Sequence, residues 1–176
     1  MADHDALLAA CTAALTDPEP RLAVRALLEE GLADGALGYA TEAPVAGIHV
    51  VHNAPDLTIL DVVWAPGSRI LPHDHRMWAA IAIYDGREQN DFFRRDEGRA
   101  SGHVVPSGGR ELHAGEVLLL GDDVIHEVSN PGSGFTGAIH VYGGDLIGTP
   151  RSQWDPQTLE EEPYDFAAVN AAFLPD

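Results

Sequence analysis

Residues 71–86 read LPHDHRMWAAIAIYDG. Two histidines flank an aspartate, and an apolar run follows as far as Gly86. The run MWAAIAIY has the composition of a buried strand, with His73 and His75 at its head. On a strand, positions i and i+2 project to the same face, so both imidazoles can converge on one point. Taken alone, the pair also suits an exposed surface strand. Its surroundings decide between the two.

From Val45 onward the chain is a series of short runs rich in Val, Ile, Thr and aromatic residues: GIHVV, LTILDVVW, RMWAAIAIY, NDFFRR, HVVP, ELHAGEVLLL, VIHEVS and FTGAIHVYG. Between them stand NAPD, APGS, YDGRE, PSGGR, LGDD, NPGSG and YGGD, which are turn-forming segments. Many short strands at regular spacing predict an all-β barrel or jelly roll. Before them, residues 5–15 and 19–34 carry Ala and Leu at helical intervals and predict two short helices. The expected organisation is a helical cap over 1–44, a β-barrel over 45–148, and an extension over 149–176. The extension is expected to pack back as a short helix or extended cover through Phe166, Val169 and Phe173.

The 176 residues carry a formal net charge of -18. That acidity argues against nucleic-acid binding and against anionic membrane surfaces, both of which need basic patches. All ten basic residues are arginine, so lysine Schiff-base chemistry is excluded. Cys11 is the only cysteine, which rules out an internal disulfide and makes a reducing cytoplasm the expected location. The acidic start MADHDALLAA is unlike a secretory signal, and no apolar run approaches the roughly 20 residues needed to span a bilayer.

Further along, residues 115–130 read GEVLLLGDDVIHEVSN. Gly67, His73, His75 and Gly86, followed by Gly115, His126 and Asn130, together resemble the two motifs of the cupin superfamily. Gly121 stands where that family has Pro, and Asp123 where it has Gly. The resemblance implies a cupin double-stranded β-helix, a jelly-roll barrel, with a metal held by His73, His75 and His126. The family's glutamate ligand would fall at 79 or 80, and both are alanine. Three neutral imidazoles suit Fe, Zn, Cu or Ni. They leave a divalent ion its full charge, which favours an anionic ligand such as a thiolate or an enolate. The ion also keeps open positions, unlike a closed structural site.

A second pattern lies at 134–145, GFTGAIHVYGGD. Alternation places Thr136, Ala138, His140 and Tyr142 on one face and Ile139 and Val141 on the other. A Tyr hydroxyl bonded to an imidazole can pass a proton or orient dioxygen; it can equally be a buried Tyr that has found a partner. The order H-x-H, H, H-x-Y is similar to the thiol dioxygenase branch of the cupins, the cysteine dioxygenase type. That resemblance implies Fe(II), with a small thiol and O₂ as partners and a sulfinic acid as product. It places His140 and Tyr142 as the catalytic pair beside the metal. Ala138 replaces the family's Ser, so the relay is expected to stop at His140. Ala80 stands where some members have the cysteine that crosslinks to the tyrosine. GIHVVHN lacks the arginine that grips the substrate carboxylate in the cysteine-specific enzymes. Arg76 and Arg69 are the expected replacements, then Arg87, with Met77 and Trp78 lining the substrate pocket. Two other readings stay open: a three-histidine oxygenase of a diketone or aromatic acid, and a non-catalytic small-molecule-binding cupin.

Overall fold

A computed structural model describes residues 3–39, 43–98, 102–167 and 169. Helices α1 (His4–Ala14) and α2 (Pro20–Ala33) come first. They are followed by strands β1 (Gly47–Asn53), β2 (Thr58–Trp64), β3 (Arg69–Asp74), β4 (Ala79–Asp85), β5 (Arg87–Arg95), β6 (Val104–His113), β7 (Val117–Leu120), β8 (Ile125–Ser129), β9 (Thr136–Tyr142), β10 (Ser152–Trp154) and β11 (Glu161–Pro163). The strands form a five-stranded sheet in the order β1-β2-β9-β4-β7 and a six-stranded sheet in the order β11-β10-β3-β8-β5-β6. No described helix is long and apolar enough to cross a membrane.

Side-chain alternation explains how the sheets stack. On β9, Ala138 and Tyr142 enter the core between the sheets, whereas Ile139 and Val141 face the helices. On β4, Ala79, Ile81 and Ile83 point inward while Ala80 and Ala82 meet the helical side. Leu7 and Cys11 of α1 and Val24 and Leu28 of α2 complete that outer layer. The five-stranded sheet is therefore covered on both faces, which is why TILDVVW and AAIAIY read as nearly unbroken apolar runs. The helices form for local reasons as well. Asp3 caps α1 by accepting from the Ala6 N–H at 3.0 Å, and Pro20 opens α2, where no N–H is required.

PSGGR, expected as a turn, lies inside β6. Phe92 pairs with Gly108 and Phe93 with Pro106, so Ser107 is the extra residue of a bulge that absorbs the small residues. Pro106 is tolerated because β6 is an edge strand. The C-terminal segment packs back on the barrel, with Phe166 lining the cavity between the sheets. It supplies β10 and β11, and Gln153 of β10 pairs with His73 of β3. Beyond β11, Val169 is buried in the core between the sheets. Phe173 lies outside the described residues.

Asn130 shows what its motif position does. Its amide donates to the carbonyls of Ala65 and Trp64 at 3.2 Å and of Gly134 at 2.8 Å, and its Oδ1 accepts from the Gly132 N–H. One buried side chain thus clamps the loop after β2 to the loop after β8, and so brings β3 beside β8.

Two glycines give a paired test of packing. A Cβ at Gly137 would fall 2.0 Å from the Tyr84 ring, whereas one at Gly121 would meet nothing within 4 Å. Gly137→Ala is expected to cost about 1–3 kcal/mol and lower Tm by several degrees in a thermal melt. Gly121→Ala should stay within about 0.5 kcal/mol of the parent. Equal melting temperatures for the two variants would contradict the packing described.

Candidate metal centre

His73 and His126 face each other across the β3–β8 ladder as a directly paired register position. Ile70 pairs with Val128 and His73 with His126, so Leu71 and Pro72 together oppose Glu127 in a bulge. Pro72 has no N–H to leave unpaired there. The Leu71 carbonyl accepts from His73 Nδ1 at 2.9 Å. His75 lies just past the end of β3, in a turn where Arg76 adopts φ 58°. His75 therefore reaches the site from a turn and not from the strand pattern expected of it.

The structure brings His73, His75 and His126 together, all buried, with their ligating nitrogens within 4.8 Å of one another. His75 Nε2 sits 3.1 Å from His73 Nε2 and 3.3 Å from His126 Nε2. His126 Nδ1 donates to Asn90 Oδ1 at 2.7 Å. With Nδ1 protonated on both His73 and His126, their Nε2 lone pairs point at the same place as that of His75. Burial away from water holds all three rings neutral. It takes His73 down to about 3, with the Arg151 cation adding to the effect, and puts His75 and His126 well below the ordinary histidine range.

Metal–nitrogen bonds of about 2.0–2.1 Å at tetrahedral to octahedral angles space neighbouring nitrogens about 2.8–3.4 Å apart. Both separations that involve His75 fall in that range, and the three nitrogens together lie within 4.8 Å. Three imidazole nitrogens gathered at one point could hold a cation between them, and the donor set fits a divalent ion that accepts imidazole. No carboxylate joins the group among the described residues.

On the opposite sheet, β9 aims His140 and Tyr142 into the same cavity. Tyr142 Oη lies 3.0 Å from His140 Nδ1, and the Tyr142 ring meets that of His75 at a centroid distance of 4.9 Å. Burial raises the Tyr142 phenol well above its ordinary value, so it is a neutral hydroxyl. Beyond His140 no described hydrogen bond continues the relay, and its Nε2 is left without a hydrogen-bond partner. His140 Nε2 faces Glu88 Oε2 at 3.7 Å, and Glu88 on β5 is fully buried.

Arg76, Arg69, Met77 and Trp78 do not line the cavity. Arg69 is largely exposed and pairs with Glu127. The Arg76 side chain bonds Asp74 and Ser152. Met77 fills the core between the sheets against Gly144, and Trp78 packs at Gly143 beside the helix-facing layer. Arg87 is spent on Glu111 and the Pro131 carbonyl.

The cationic group in the cavity is Arg151, which immediately precedes β10. It is 8% exposed, donates to the Asp74 carbonyl at 3.2 Å, and stacks 3.4 Å over the Tyr164 ring. No described carboxylate pairs with it. A search near the first motif could not find it, because the tail returns to β3 by a pairing that no local pattern announces. Ile48, Leu60, Val62, Trp64, Val128, Leu146 and Phe166 close the walls, and the open space is about 30 Å³. That is a narrow space, which limits an organic ligand to a small one.

No protein-family model matches the chain. Among solved structures it is similar to an RmlC-like cupin family protein from Methanocaldococcus jannaschii, at 12% identity and TM-score 0.50 over 62% of this chain and 89% of that one. Others are a cupin superfamily protein from Desulfitobacterium hafniense (14%, TM-score 0.44, 63% and 86%) and an oxalate oxidase (18%, TM-score 0.43, 63% and 58%). At these identities the first likeness speaks to the fold alone: the chain is a cupin-type double-stranded β-helix carrying a three-histidine group able to hold a metal ion.

Proposed function

We propose that the protein oxidises a small anionic thiol to its sulfinic acid with dioxygen, using iron(II) held by His73, His75 and His126. One observation carries the reading: Arg151, without a carboxylate partner, and the Tyr142–His140 pair share one small cavity with the three imidazoles. Iron at this position would supply Lewis acidity toward a thiolate and the one-electron steps that let dioxygen react with sulfur. The overall change is R–SH + O₂ → R–SO₂H, in which sulfur is oxidised and both oxygen atoms are incorporated.

The chain's own groups do the rest. With no carboxylate among the ligands, a divalent ion keeps the charge that draws a thiolate to it. Arg151 offers two parallel N–H donors to a carboxylate at the other end of the substrate, and burial strengthens that contact. The Tyr142–His140 pair gives the cavity a hydrogen-bonded couple able to pass a proton. Leu60, Val62 and Leu146 exclude water, and the small volume selects short substrates. The same charges suit the enolate of a small diketone or oxo acid, which is the second reading. The cavity size disfavours an aromatic acid.

Reconstituted with Fe(II) and washed with chelator, the protein should hold about one iron per chain. His126→Ala should hold less than about a tenth of that by elemental analysis. Oxygen uptake should follow short mercapto acids. Uptake only with enolisable oxo acids would favour the second reading, and no uptake by iron-loaded protein with either would leave a binding protein. Arg151→Gln is expected to lower kcat/KM for mercapto acids roughly 100-fold, while an uncharged thiol changes by less than about threefold. Equal losses on both substrates would remove Arg151 from carboxylate recognition.

A further inference from the structure

Glu88 has no place in the readings so far. It lies on β5 in the six-stranded sheet and is fully buried. Its Oε1 accepts from Asn90 Nδ2 at 2.9 Å. The same Asn90 turns its Oδ1 to His126 Nδ1 at 2.7 Å. On its other side, Glu88 Oε2 faces His140 Nε2 at 3.7 Å, and each of these two buried atoms lacks a hydrogen-bond partner. Two orphaned polar atoms facing one another inside a core satisfy each other by closing the roughly 0.7 Å that separates them from a hydrogen bond. Tyr142 then continues the chain from His140 Nδ1 at 3.0 Å.

We infer that Glu88 is a positioning residue that sets the protons of both halves of the site. It fixes the tautomer of His140 directly, and through Asn90 it fixes the orientation of the ligand His126. A carboxylate only accepts, so His140 must carry its proton on Nε2. His140 Nδ1 is then an acceptor, and the Tyr142 hydrogen points to it. The phenolic oxygen is left to receive a proton or a donor from the cavity. On the other branch, the Asn90 amide spends its N–H on Glu88 and keeps its carbonyl for His126. That arrangement holds Nδ1–H of His126 in place and leaves Nε2 free for the ion.

This inference shares with the proposed function only the three-imidazole ion site and does not depend on thiol as the substrate. Zn(II) alone is therefore the probe, and nitrogen resonances are the readout. In 15N-histidine-labelled protein, with and without Zn(II), long-range proton–nitrogen correlations should show His140 protonated at Nε2 and His126 at Nδ1. In Glu88→Gln the side-chain amide still accepts from Asn90 but presents N–H₂ to His140. His140 should switch to the Nδ1–H form while His126 keeps its own, and the Kd for Zn(II) should rise roughly tenfold. Should the variant not fold, the parent spectrum decides. An Nδ1-protonated His140 in the parent, a His140 pattern unmoved by Glu88→Gln, or an unchanged Zn(II) Kd would each overturn the assignment. Oxygen uptake with no thiol would count against the proposed function and leave this one standing.

Discussion

Three neutral imidazoles converge in a space from which water is excluded, and the surrounding structure is arranged around that fact. Desolvation keeps the rings uncharged, and uncharged rings in contact present lone pairs to one another. Each device nearby reduces the cost of that arrangement. The bulge at Leu71 and Pro72 supplies a carbonyl to His73. Asn90 supplies one to His126. The turn at Arg76 lets His75 approach from beyond the strand. A cation at their common focus would complete the set, because it would accept from all three nitrogens at once.

Charge then organises the cavity. Arg151 brings positive charge into a region whose nearest fully buried carboxylate is Glu88, and an ion held by the three imidazoles would add to it. Arg151 is the cation that His73, His75, His126 and Tyr142 all feel. Its guanidinium is held in place by a backbone carbonyl and an aromatic ring, partners that leave its charge uncompensated. Such a site would suit the proposed anion with two ends, one for an ion and one for the arginine. The small volume keeps those ends close together.

The fold was legible where the chemistry is local. Alternation on β9 separated His140 and Tyr142 from Ile139 and Val141 correctly, and the glycines and Asn130 of the two motifs marked the turns that close the barrel. Residues governed by long-range pairing were not legible. Arg151 enters the cavity only because β10 joins β3, and nothing in PRSQW indicates that partner. Glu88 sits in GREQN, which reads as a polar hairpin start, and its burial depends on which sheet β5 joins. Arg76 and Arg69 were drawn in by proximity in sequence to His73 and His75. Yet Arg76, adjoining His75, projects away from the cavity to Asp74 and Ser152, and Arg69 pairs with Glu127.

The N-terminal helices acquire a role from the same alternation. His140 and Tyr142 face the cavity, so their neighbours Ile139 and Val141 face the other way, and an uncovered sheet would expose them to water. The helices cover that side with Leu7, Cys11, Val24 and Leu28. Ala80 and Ala82 on β4 are small enough to let them come close. In a one-sided sheet β9 would need polar residues at 139 and 141, and its backbone hydrogen bonds would lie open to solvent. Covered on both faces, the strand is a rigid mount for the pair that meets the metal site from the opposite sheet. The described helices therefore serve the cavity at a distance, by fixing the strand that carries Tyr142 and not by lining the cavity themselves.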